Sequence, residues 1–279
     1  MKLYTKDKTI WLEFNDKYFL VEMDWDVLVN RVGLYNFLLE LMPTLVEVSP
    51  IDLNSSFNPP IGTQELWAAG VTYLRSKVAR EKESENEGGA SFYDKVYAAD
   101  RPEIFFKALA YRIAGHQDYV HIRKDSTWDV PEPELTLFIS SEGTIEGYTI
   151  GNDMSSRSIE GQNPLYLAQA KVYDRSASLG PCLAVLQSTI STETSIKLSI
   201  YRNEVKIFED TTSVSQIKRT FDELVKYLFL ETTFEKGVML MTGTGIIPSD
   251  DFTLQINDRV EISIDHIGTL INTVKTKLS

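Results

Sequence analysis

Short runs of strand-forming residues, broken every few positions by turn formers, limit the fold of this chain more than any other feature. In the last third, residues 237–242, 252–255, 259–264 and 268–274 each predict a strand. Residues 194–209 predict a hairpin around Arg202-Asn203-Glu204, and residues 9–23 predict another around Asn15-Asp16. Further strands are expected at 65–72, 104–107 and 119–123. Helical spacing is confined to few places. Leu28, Val32, Tyr35, Leu38, Leu39 and Met42 form an apolar stripe over 26–41, closed by Pro43. Ile217, Phe221, Leu224, Val225 and Leu228 do the same over 215–229, and residues 73–81 predict a short helix. A β-dominated α+β fold follows. The stretch 54–62, with Pro59-Pro60, reads as a linker. It separates a small N-terminal α+β domain, 1–60, from a larger domain, 61–279.

A formal net charge of -12 over 279 residues argues against a nucleic-acid backbone or an anionic membrane as the main partner. It favours small-molecule chemistry, in which an anionic substrate needs local cations or a metal. The lone cysteine, Cys182, cannot form an internal disulfide, which fits a cytoplasmic location. It follows Gly180-Pro181 and precedes an apolar run, so a packed thiol is expected. Residues 9–20 mix Lys, Glu and Asp into their apolar positions, so neither a signal-peptide core nor a membrane span is expected there.

Chemistry is most concentrated in Pro131-Glu132-Pro133-Glu134. Two carboxylates two positions apart on a strand point to one face, while Leu135, Leu137 and Ile139 point to the other. Like charges this close repel, and a divalent ion neutralises them. Asp153, in the turn-rich run Gly151-Asn152-Asp153-Met154-Ser155-Ser156-Arg157, completes an all-oxygen set suited to a hard cation such as Mg2+. The alternative is an edge strand carrying two solvated glutamates. Lys171 has small or apolar flanks and reads either as a desolvated proton carrier or as a surface lysine with a buried stem. Thr242-Gly243-Thr244-Gly245 could cradle a carboxylate or be a plain turn. His116, His121 and His266 show no metal-binding spacing, and structural or surface roles are expected for them. No phosphate-loop lysine follows Gly243 and Gly245, and Ser155 and Ser156 lack a nucleophile elbow.

Taken in order, the acid pair, Gly147-Tyr148-Thr149-Ile150-Gly151-Asn152-Asp153-Met154-Ser155-Ser156-Arg157, Lys171, Ser178-Leu179-Gly180-Pro181-Cys182, Met241-Thr242-Gly243-Thr244-Gly245 and the closing strands resemble the fumarylacetoacetate hydrolase superfamily over residues 66–274. The resemblance implies a rolled β-sheet domain and a Mg2+ or Mn2+ ion, with Ca2+ as a substitute, held by Glu132, Glu134 and Asp153. It makes Lys171 the active-site lysine and Thr244 a substrate-carboxylate contact, and it places Ile104-Phe105-Phe106-Lys107 beside the pocket. The family's hydrolases usually carry GxNYxxHxxE, whose His and Glu activate water. Here Gly70-Val71-Thr72-Tyr73 leads to Ser76 and Ala79 in those positions, and neither takes a proton near neutral pH.

Residues 101–107, 125–134 and 159–166 are similar to the branch that dehydrates 2-keto-3-deoxy-D-arabinonate to 2,5-dioxopentanoate in oxidative pentose degradation, as a homotetramer. Dehydration needs a carbon-acid base and an acid for the leaving hydroxyl, but no activated water. Lys171 is expected to move a proton or hold the enolate oxygen, with Glu103 as a second acid/base candidate, although Glu103 could equally be an exposed residue where a strand begins. Arg75, Ser76, Lys107 and Thr244 are expected substrate contacts. The alternatives are an acylpyruvate hydrolase or oxaloacetate decarboxylase of the same superfamily, or a non-catalytic 2-oxo-acid-binding protein.

Overall fold

The computed structural model describes residues 1–75 and 95–277. Among these residues, sixteen strands assemble into two sheets, accompanied by short helices. The larger, 11-stranded sheet contains β1 (Lys2–Lys6), β2 (Thr9–Phe14), β3 (Lys17–Val21), β4 (Val46–Val48), β5 (Glu65–Gly70), β6 (Glu103–Leu109) and β7 (Ile113–Ala114). The 5-stranded sheet opens with β8 (Asp118–Ile122). The large sheet continues through β9 (Asp129–Ile139), β10 (Ile145–Ser156) and β11 (Ala177–Ala184). The small one takes β12 (Ser195–Arg202) and β13 (Val205–Ser213), the large one β14 (Val238–Met241), and the small one closes with β15 (Arg259–Ile264) and β16 (Gly268–Thr276). This is the expected β-dominated α+β architecture.

Both expected hairpins form, and their turns share one device. Asn15 and Asp16 have φ of 50° and 61°, and Asn203 and Glu204 have 51° and 62°. Two consecutive left-handed residues give a turn whose twist matches that of the flanking strands. A third hairpin joins β1 to β2 through Asp7 and Lys8. Strand β1 has no clear alternation, since Leu3 and Tyr4 are neighbours buried on opposite faces. It pairs with β11, Lys2 opposite Ala184, so the first sixty residues extend the large sheet.

Several expectations fail for local reasons. The helix over 26–41 is two helices, α1 (Trp25–Val29) and α2 (Leu34–Leu41), because Gly33 adopts φ 74° between them. Residues 252–255 make no strand. Their amides are satisfied one at a time, Leu254 N–H donating to Asp129 O and Gln255 N–H to an Asp258 carboxylate oxygen. Helices α3 (Arg157–Gln162) and α4 (Leu167–Lys171) have too few turns to show a periodic stripe. The helix over 215–229 shrinks to α5 (Phe221–Phe229), capped by Thr220, whose hydroxyl accepts from Glu223 N–H at 3.1 Å. Most of the helix expected over 73–81 lies outside the described residues.

Strand β9 is buried on both faces and divides two cores. Leu135, Leu137 and Ile139 join Ile196, Leu198, Ile200, Val260 and Ile262 of the small sheet. Phe138, two residues on from Thr136 and four from Glu134, faces the other way and joins Leu28, Leu34 and Leu38 of α1 and α2. Glu132 and Glu134 therefore emerge on the face of the large sheet that the small sheet does not cover.

Candidate metal centre

Antiparallel pairing builds the acid cluster. Glu132 lies directly across from Asp153 on β10, and Glu134 across from Gly151, so the third carboxylate meets the first two on one face. Oxygens of Glu132, Glu134 and Asp153 lie within 4.8 Å of one another, and all three residues are buried. Each acid has specific support. Gly243 N–H donates to Glu134 Oε2 at 2.6 Å, and Arg157 Nη2 donates to Glu132 Oε1 at 2.6 Å. Lys171 Nζ donates to Glu132 Oε2 at 2.6 Å, Asp153 Oδ2 at 3.0 Å and Ser155 Oγ at 2.6 Å. Burial, and then the neighbouring Asp153 and Glu132 charges, hold the Glu134 carboxyl well above the usual carboxylate range.

A dication fits this place on the chain's own terms. The donors are hard carboxylate oxygens with no thiolate or imidazole among them, and their mutual repulsion falls when a positive charge sits between them. The free space of about 20 Å³ among these residues is room for one ion or water.

The large sheet rolls up around the cluster. Strand order runs β10-β9-β14-β5-β6, so β6 lies four strands away from β10 along the sheet. Yet Lys107 of β6 places its Nζ 2.5 Å from Asp153 Oδ1. Only a curled sheet brings those strands face to face. The cleft inside the curl is lined by Ala69, Gly70 and Val71 at the end of β5, Glu103 and Phe105 of β6, Gly243 and Thr244 after β14, and Glu160 and Leu167 from the helical segment. Two backbone features shape it. A Cβ at Gly70 would stand 2.3 Å from Glu103 Oε2, so the bare glycine makes room for that carboxylate. Val71 is β-branched yet has φ 53°, a left-handed conformation costing on the order of 1–3 kcal/mol that clusters at functional sites.

Six of the residues singled out from the sequence, Glu103, Glu132, Glu134, Asp153, Lys171 and Thr244, line this one cleft. Arg75 is not among the residues that line it. Its side chain is 56% exposed and pairs with Asp210 of β13 at 2.8 Å. Lys107 is fully buried behind Asp153. Ser76 and Ala79 lie outside the described residues, as does the polar run 81–90. Sequence reasoning missed Ser155 and Arg157 as partners of the cluster, although a signal existed for Ser155: Asp153 and Ser155 are two apart on β10 and so share a face. Glu160 gave no such signal, since a three-dimensional turn brings it back. His116 is buried elsewhere, its Nδ1 accepting from Ile271 N–H, and burial pushes the Cys182 thiol up to about 12.

A family model described as fumarylacetoacetate (FAA) hydrolase C-terminal matches residues 71–275. The chain belongs to this family. Over 218 residues it is 47% identical to a probable 2-keto-3-deoxyxylonate dehydratase of Haloferax volcanii, covering 78% of this chain and 74% of that protein. Over 238 residues it is 39% identical to a 2-dehydro-3-deoxy-D-arabinonate dehydratase of Saccharolobus solfataricus, covering 83% and 77%. A structure of 2-keto-3-deoxy-D-arabinonate dehydratase complexed with magnesium and 2,5-dioxopentanoate is similar over 100% of both chains, with a TM-score of 0.85 and 32% identity. The fumarylacetoacetate hydrolase resemblance drawn from the ordered motifs thus holds, and the fold matches at the level of the whole chain.

Proposed function

We propose that this chain is a divalent-metal-dependent hydro-lyase that removes water from a 2-keto-3-deoxy sugar acid, 2-keto-3-deoxy-D-arabinonate or its xylonate counterpart, giving 2,5-dioxopentanoate. One observation carries the reading: three buried carboxylates converge beside a buried lysine inside a cleft that also holds Glu103 and Thr244. The identity to two dehydratases supports the reaction class.

Glu132, Glu134 and Asp153 would hold the ion. A divalent cation bound there supplies Lewis acidity, which stabilises negative charge on a 2-oxo acid. The remaining work belongs to side chains. Dehydration takes a proton from C3 and hydroxide from C4, which together leave as water, and the product then tautomerises through C5 to the aldehyde. Lys171 Nζ, held by Glu132, Asp153 and Ser155, faces the cleft and is placed to hold the C2 oxygen or move a proton. Glu103, across the cleft on β6, is the second proton carrier. Thr244, which lines the cleft, offers its hydroxyl to the substrate carboxylate, while Gly243 N–H stays on Glu134. Phe105 and Leu167 add apolar walls that limit water.

The test is incubation of the purified protein and Mg2+ with a panel of 2-keto-3-deoxy acids, detecting 2,5-dioxopentanoate. Its formation, abolished by EDTA and restored by Mg2+, is the expected result. Release of pyruvate or CO2 from acylpyruvates or oxaloacetate, without dehydration of any sugar acid, would replace this reading with hydrolase or decarboxylase activity. Binding of 2-oxo acids with no turnover would leave a binding protein.

A further inference from the structure

Lys107 sits where a lysine is costly. Its side chain is 0% exposed, and desolvation pushes its ammonium down from the ordinary lysine range. A cation is retained in such a place only when every neighbour rewards it. Its Nζ lies 2.5 Å from Asp153 Oδ1, donates to Met154 O at 3.1 Å and donates to Lys171 O at 2.5 Å. Each of these acceptors belongs to the chain itself. Two of these contacts are hydrogen bonds to backbone carbonyls and the third is an ion pair, and Lys107 is not among the residues that line the cleft.

The identity of the three acceptors is informative. Two belong to consecutive residues of β10, and the third is the carbonyl at the C-terminal end of α4, the helix that presents Lys171. Lys171 in turn holds Asp153 from its other oxygen, Oδ2, at 3.0 Å. The Asp153 carboxylate is therefore gripped on both sides, by Lys107 on Oδ1 and by Lys171 on Oδ2. Lys107 also fixes the backbone from which Lys171 extends. One buried ammonium ties a rolled strand, β6, to the candidate metal ligand and to the candidate proton carrier.

We propose that Lys107 is a positioning residue that sets the geometry between Asp153 and Lys171 and thereby the affinity of the acid cluster for a divalent cation. This rests on the metal reading above. Two opposite effects decide how it can be tested. As a nearby positive charge, Lys107 repels a cation, and removing it would raise metal affinity. As a clamp on a ligand, it orients Asp153, and removing an outer partner of a metal ligand typically lowers affinity about 10–100-fold. The short contacts on both oxygens of Asp153 favour the clamp.

The experiment measures Mn2+ binding calorimetrically in the wild type, Lys107→Met and Lys107→Arg, with near-ultraviolet circular dichroism reporting the tertiary packing. Arginine keeps the charge but cannot place a single donor head among the same three acceptors. We expect both variants to bind Mn2+ at least about 10-fold more weakly than the wild type, with kcat falling alongside. Tighter binding by Lys107→Met, or unchanged binding by Lys107→Arg, would overturn the clamp. Should Lys107→Met fail to fold, Lys107→Arg alone decides. Absence of Mn2+ binding by the wild type would instead remove the metal reading itself, and is thereby distinguishable.

Discussion

Lys171→Met probes the electrostatic balance of the cleft most directly. Two of the three buried carboxylates, Glu132 and Asp153, pair with three buried cations, Lys107, Lys171 and Arg157, through contacts of 2.5–3.0 Å, while Glu134 is held by Gly243 N–H. Methionine keeps the length of the stem but removes the ammonium from Glu132, Asp153 and Ser155. Breaking a buried pair in this way leaves an uncompensated charge, a loss of about 3–5 kcal/mol. For a chain of this size that corresponds to a fall in Tm on the order of 10 °C in EDTA. A divalent cation replaces the missing positive charge, so adding Mg2+ raises the Tm of the variant more than that of the wild type. Differential scanning calorimetry of both proteins, with EDTA and with Mg2+, gives the four numbers required. Turnover should be almost lost even in the metal-loaded, folded variant. An equal or smaller Mg2+-induced shift in Lys171→Met would refute the balance, and near-wild-type dehydration would refute the role of the ammonium in the reaction.

Three other perturbations separate the parts of the site. Glu134→Gln keeps an oxygen for Gly243 N–H but removes a charge that burial already disfavours; metal affinity should fall by more than the roughly 10–100-fold of an outer partner, while stability in EDTA holds or rises, both read by calorimetry. Gly243→Ala forces a side chain onto φ 91° and sets its Cβ 2.1 Å from Thr72 Oγ1; a loss of at least about 1–3 kcal/mol and of activity is expected in denaturant titration and turnover assays. Asp129 is buried and its carboxyl is pushed up to about 6, chiefly by desolvation. Between about pH 4 and 6 the folded protein binds the proton that the unfolded chain releases, so stability falls as pH rises through that window. Asp129→Asn should leave stability unchanged near pH 4 and raise it at pH 7 by at most about 3 kcal/mol; parallel stability–pH curves for the two proteins would contradict this.

The acid pair and its strand were legible because a strand's period of two is written into the sequence: Glu132 and Glu134 on one face, Leu135 and Leu137 on the other. The hairpins at Asn15-Asp16 and Asn203-Glu204 were legible for a similar reason, since local backbone preference settles a two-residue turn. The order of motifs was also enough to place the chain in its family. The split of the first helical segment was not, because whether Gly33 continues a helix or leaves it depends on what α1 and α2 pack against.

What only the tertiary structure decided is which charges meet. The chain order of Lys107, Asp153, Arg157 and Lys171 does not show that three cations close around two of the acids, Glu132 and Asp153. Nor does it show that Lys107 is held by two backbone carbonyls inside the fold while Arg75 pairs with Asp210 outside the cleft. Periodicity reports the face of a strand, whereas these contacts depend on the curl of a sheet that returns β6 to β10. That curl is a property of strands far apart in the chain, and it turns a negative spot on one strand into a neutralised, structured cleft.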